Sequence, residues 1–136
     1  QEAIMAGLYN LKRDVATGDD LASIAATDVS NQFTVASANG AVSIPASGRL
    51  KVFITKGTAA NLTLAAPTAT THDGVEIVFI STTAAAHTVQ AATIGFKAGD
   101  AASDVGTFGG AIGDGMTVTA YQGEWLVIDK TNVTLA

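Results

Sequence analysis

From Met116 to Asp129 the chain reads MTVTAYQGEWLVID. Met116, Val118 and Ala120 alternate with Thr117, Thr119 and Tyr121, and after a two-residue link Trp125 alternates with Val127. A period of two is the signature of a strand with one buried face. The link Gln122-Gly123 is short enough to make the pair a tight hairpin.

Working outward, the same period recurs upstream. Phe33-Thr34-Val35-Ala36-Ser37 and Ala41-Val42-Ser43-Ile44 alternate apolar and polar residues around Asn39-Gly40, a type I′ hairpin signal. Pro45 closes the second of these strands because it offers no N–H to a ladder. Further strands are expected at Leu50–Thr55, Asn61–Leu64, Val75–Ser81 and His87–Gln90, with Val133–Leu135 as a last edge strand. An internal echo links two of these regions: residues 52–66 read VFITKGTAANLTLAA and residues 78–92 read VFISTTAAAHTVQAA. One supersecondary unit used twice, as successive hairpins, accounts for it. The glycine-rich stretch from Gly95 to Gly115 reads as a structured loop with a short strand near Val105–Phe108.

Short strands with turn signals at this spacing predict an all-β fold, an antiparallel β-sandwich or barrel of jelly-roll type, over residues 31–136. Its core is expected at Val52, Ile54, Ile77, Phe79, Val118, Trp125 and Val127. Residues 1–30 form a separate arm. There Ile4, Leu8, Leu11 and Val15 recur every three or four residues, and Thr17-Gly18-Asp19-Asp20 interrupts the pattern. Ile4, Met5, Leu8, Tyr9 and Leu11 give the arm an apolar stripe suited to docking on a neighbouring subunit. Phe96 and Phe108, in the glycine-rich stretch, are either further contacts or core plugs.

Composition narrows the function. The 136 residues carry a net charge of −5 with only seven Lys and Arg, so no basic patch is available to phosphates and nucleic-acid binding is not expected. Charged residues make up 14%, against ~25% in an average soluble domain. Such a surface suits a protein largely covered by neighbours. Cysteine is absent, which removes disulfides and Cys-based zinc sites. No apolar run approaches the ~20 residues that span a bilayer, so no membrane association is expected, and Gln1-Glu2-Ala3 lacks the basic start of a signal peptide.

A search for chemistry returns little, and neither a catalytic site nor a cofactor is expected. His72 lies in the turn sequence Thr71-His72-Asp73-Gly74, and His87 begins a short strand. Neither has a second histidine at metal-ligand spacing. Ser81 and His87 with a distant Asp would be a triad only by assumption, since no nucleophile-elbow motif is present. Asp73, Glu76, Asp100, Asp104, Asp114 and Glu124 show no pairing pattern for glycoside chemistry, and Asp100, Asp104 and Asp114 lack EF-hand spacing. Gly109–Gly115 resembles a phosphate loop, but no Lys-Ser/Thr follows it and the next element is a strand. Asn61-Leu62-Thr63 and Asn132-Val133-Thr134 match the glycosylation triplet but fall on expected strands.

Four stretches, VSIPASGRLKVFITKGTAANLTLAAPT (42–68), DGVEIVFISTTAAAHTV (73–89), TFGGAIGDGMTVTAYQGEWLVID (107–129) and NVTLA (132–136), resemble the decoration (cement) proteins and related β-domains of tailed-bacteriophage virions. The resemblance runs from Val42 to the C-terminus, about two-thirds of the chain, and rests on strand pattern and composition. It implies a structural protein on the outside of a phage head, a homodimer or homotrimer whose partner is the major capsid protein. A fibre or spike module that binds host glycans is the alternative, with Trp125, Tyr121 and Tyr9 as its sugar platform.

Overall fold

The computed structural model describes residues 32–99 and 103–136, and the arm therefore lies outside the described residues. Eleven strands are found among them, and no helix. They are β1 (Gln32–Ala36), β2 (Gly40–Val42), β3 (Arg49–Ile54), β4 (Asn61–Leu64), β5 (Glu76–Ser81) and β6 (Thr88–Gln90), then β7 (Phe96–Lys97), β8 (Val105–Phe108), β9 (Gly115–Tyr121), β10 (Glu124–Thr131) and β11 (Val133–Leu135). The chain is all-β, as expected. A six-stranded sheet has the order β1-β3-β5-β9-β10-β7, a five-stranded sheet the order β11-β8-β6-β4-β2, and one core joins them into a sandwich.

The pairing departs from the expected antiparallel, jelly-roll arrangement. From β1 to β6 the chain switches sheet at every turn, so odd strands stack in parallel in one sheet and even strands in the other. Each odd–even pair is one rung of a short two-sided stack, and the units are not hairpins. Asn39-Gly40 accordingly turns the chain from one sheet to the other. The Asn39 carboxamide oxygen accepts the N–H of Asn61 in the next rung.

The echo is real as a repeat, but its register is shifted. Leu50 pairs with Ile77 and Asn61 with Thr88, a separation of 27 residues, whereas the matching letters lie 26 apart. Side chains on a strand alternate between faces, so the spacing of 27 puts Leu50, Val52 and Ile54 beside Ile77, Phe79 and Ser81, all facing inward. A spacing of 26 would set inward Val52 beside outward Val78.

The stack is completed by antiparallel elements. The β9–β10 hairpin forms as expected: Gln122 (φ 48°) and Gly123 (φ 82°) both take the left-handed conformation of a type I′ turn. The Asp73 carboxylate holds Gln122 there, accepting its backbone N–H at 2.7 Å and its side-chain amide at 2.5 Å. A bulge follows, where Val118 pairs with Val127 but Thr117 pairs with Asp129, and it leaves Ile128 outside. The short strand at Val105–Phe108 and the edge strand at Val133–Leu135 are both present, whereas β7 arises within the stretch read as loop.

Six of the seven expected core residues are completely buried, and Val127 packs partly buried against them. Phe96 and Phe108 are core plugs, 0% and 1% exposed, so their rings are not surface contacts. Gly115 marks a close approach between β9 and β5, since a Cβ there would lie 2.7 Å from the Phe79 carbonyl oxygen. Gly115→Ala is therefore expected to destabilise the domain by about 1–3 kcal/mol, read from the midpoint of urea unfolding.

Candidate functional site

The two outer faces of the sandwich differ in chemistry. On the five-stranded sheet, outward positions hold Asn61, Thr63, Thr88, Gln90, Thr107 and Thr134, a neutral polar face. Thr88 Oγ1 donates to Asn61 Oδ1 across two rungs.

On the six-stranded sheet, the outward positions of the first three strands are largely apolar. The cross-strand row Phe33, Lys51, Val78 lies beside the row Val35, Phe53, Ile80. The rings of Phe33 and Phe53 pack edge to face at 5.9 Å. Phe33 is 64% exposed and Val35 52%, and β1 is an edge strand with no neighbour beyond it among the described residues. An edge strand offers unpaired backbone groups to another chain, and a contiguous apolar patch beside one marks an interaction site. Arg49 and Glu76, joined at 2.6 Å, border the patch with a neutralised pair.

This face went unread in the sequence analysis, although a signal was present. Ile77-Val78-Phe79-Ile80 is apolar at four consecutive positions, as for a strand covered on both faces. One cover is the core, and among the described residues no element lies over the outer face. Ile4, Met5, Leu8, Tyr9 and Leu11, expected to carry contacts, lie outside the described residues.

The groups singled out for chemistry are occupied by the fold. His87 is fully buried between rungs. Its Nδ1 accepts the Ala60 N–H at 3.0 Å, so the neutral ring carries its proton on Nε2, which lies 3.0 Å from Thr83 Oγ1. Thr83 in turn donates to the Lys56 carbonyl. Burial, and secondarily the positive charge of Lys56, hold the His87 pKa below its usual value. Ser81 donates to the Thr83 carbonyl, so Ser81 and His87 are both tied to Thr83 by separate bonds.

Asp114 accepts the Ala111 N–H at 2.8 Å and the Asn132 amide at 3.0 Å, pinning the glycine-rich turn to the last strands. Those bonds lower its pKa, the Ala111 N–H first. Asp73 is lowered too, chiefly by the Gln122 N–H. His72 Nδ1 accepts the Thr68 N–H within its turn. Among the described residues no group of three or more His, Asp or Glu is placed to hold a metal ion. Of the proposed sugar platform, Tyr121 is exposed, Tyr9 lies outside the described residues, and Trp125 is buried with its indole N–H donating to the Ala65 carbonyl at 2.8 Å.

No protein-family model matches the chain, and a search of curated proteins finds no significant relative.

Proposed function

We propose that this protein is a structural virion component that binds the outside of a phage head, oligomerises there, and stabilises contacts between major capsid subunits through the outer face of its six-stranded sheet. The observation that carries the reading is the edge strand β1, which has no neighbour on its outer side among the described residues, beside the apolar rows of Phe33, Val35, Phe53, Val78 and Ile80. A rigid sheet face loses little entropy when it binds, and a low charge content reduces the cost of covering the surface. A ligand that binds only the assembled shell stabilises it by mass action, and repetition over the lattice adds avidity to each modest contact.

The test uses purified protein with unexpanded and expanded heads. Binding to expanded heads should raise their melting temperature. Phe33→Asp with Val35→Asp places two charges on the contact without touching the core, and this variant should stay folded while its affinity falls by about a hundredfold or more. Failure of the unaltered protein to bind heads at any stage would refute the proposal.

A further inference from the structure

The apolar patch on the six-stranded sheet holds one charge that the fold leaves without a counter-charge. Lys51 is outward on β3, directly across from Phe33 of β1 on one side and Val78 of β5 on the other, with Phe53 two positions along its own strand. The side chain is half-buried, and its ammonium group has neither an ion pair nor a hydrogen bond among the described residues. Glu76, the acid on the outer face of the neighbouring strand, is taken up by Arg49 at 2.6 Å. Arg49 and Lys51 against Glu76 leave a local charge of +1 on β1, β3 and β5, in a chain whose net charge is −5.

While the face is open, Lys51 keeps its charge in water and its stem on the apolar rows. Covering the face removes that hydration, and only an opposite charge brought by the partner compensates for it. This decides between a second copy and a different partner. Phe33 and Val35 lie on one side of β3, Val78 and Ile80 on the other, so a two-fold axis that lays the patch on itself must pass at β3. An axis along the strands sets Lys51 against the second Lys51. An axis across them sets each Lys51 over a Phe53 ring. Either contact encloses two ammonium groups and no free carboxylate. A different partner that presents one carboxylate among apolar groups encloses a single pair of opposite charge.

We infer that Lys51 sets the specificity of this face: it opposes pairing of the patch with a second copy and selects a protein partner whose apolar contact surface carries one Asp or Glu opposite β3. Homo-oligomers then form through other surfaces. The assignment rests on the capsid-binding reading only for the identity of the partner.

The test needs no heads, because the chain itself can be made to supply the carboxylate. Lys51→Glu puts an acid into an otherwise identical patch without touching the core. Isotopically heavy parent is mixed with light Lys51→Glu, mixed pairs are identified by native mass spectrometry, and affinities are measured by sedimentation equilibrium. Mixed pairs are expected to form at least about tenfold more tightly than parent–parent pairs and to weaken as salt rises. They should vanish when either member also carries Phe33→Asp with Val35→Asp, which sets the baseline for association through other faces. A second variant, Lys51→Met, keeps the stem and removes the charge, and it should self-associate about tenfold more tightly than the parent. Mixed pairs no tighter than parent pairs would overturn the selection of a carboxylate. A Lys51→Met chain that associates no more than the parent would overturn the block on self-pairing. Neither outcome involves heads, so a parent that fails to bind heads refutes the capsid reading alone.

Discussion

Trp125→Ala is expected to remove about 3–5 kcal/mol of stability, the largest loss of any single substitution considered for this domain. Trp125 is the largest fully buried side chain, inward-facing on β10 beside Ala120 of β9 and Phe96 of β7. Its removal leaves a cavity where three strands of one sheet meet. It also strips the Ala65 carbonyl of its indole donor, a bond that joins β10 to the loop after β4 across 60 residues of sequence. A domain of this size commonly has only about 5–15 kcal/mol in total. The variant should therefore unfold at markedly lower urea, with an unchanged slope if the denatured state is unaffected. Trp125→Phe retains most of the volume and loses the hydrogen bond. Its cost should fall near about 1–3 kcal/mol, and the difference between the variants separates packing from bonding. A Trp125→Ala variant as stable as the parent would mean that the two sheets do not share this core.

The second large effect concerns His87. His87→Ala is expected to cost about 2–4 kcal/mol, because it opens a cavity against the Phe108 ring and leaves the buried Ala60 N–H without an acceptor. His87→Asn, whose carboxamide oxygen can take the place of Nδ1, should recover part of that loss. The same geometry sets a pH dependence. The native pKa is depressed below the unfolded value of about 6.5, so the unfolded chain takes up a proton first as pH falls. The stability contributed by neutral His87 is complete above pH ~6.5 and is lost as pH drops below it, by at most about 1.4 kcal/mol per unit, until the native ring also protonates. Asp73 and Asp114, depressed by their hydrogen bonds, act in the same direction but below their ordinary value of 3.8. Urea unfolding at pH 7.5 and pH 5.5 should show a loss for the parent that is largely absent in His87→Asn. Equal losses in both would refute this role.

The parts of the fold legible in the sequence were those whose signals are local. Alternation from Met116 to Tyr121 and from Glu124 onward, with two residues between, specifies a hairpin by itself, and the hairpin is there. Alternation also identified the inward residues of β3, β5 and β9. It does not say which strand lies beside which. Asn39-Gly40 has the conformational freedom of a hairpin turn, yet the same freedom serves a chain passing between sheets, and only the burial of Val42 against Leu62 and Leu64 decides between them. The echo misled by one residue because like letters were aligned instead of like faces. Phe96 and Phe108 could not be assigned to surface or core because glycines on either side carry no periodicity. The contact face was missed because its two halves, Phe33 with Val35 and Val78 with Ile80, lie more than forty residues apart and become neighbours only through β3.

Alternation of sheet at every turn from β1 to β6 has a consequence for how the chain assembles. Neither sheet can be completed while the other waits, since each stretch of chain that supplies one layer is threaded through the opposite layer before it returns. The nearest parallel neighbours are separated by 18 residues in β1–β3 and by 27 in β3–β5, so each rung requires closure of a long loop before any ladder bond forms. The β9–β10 hairpin is free of that cost and is the natural nucleus. Cutting the chain between rungs would then divide both layers at once, and this architecture offers no smaller piece that could fold by itself.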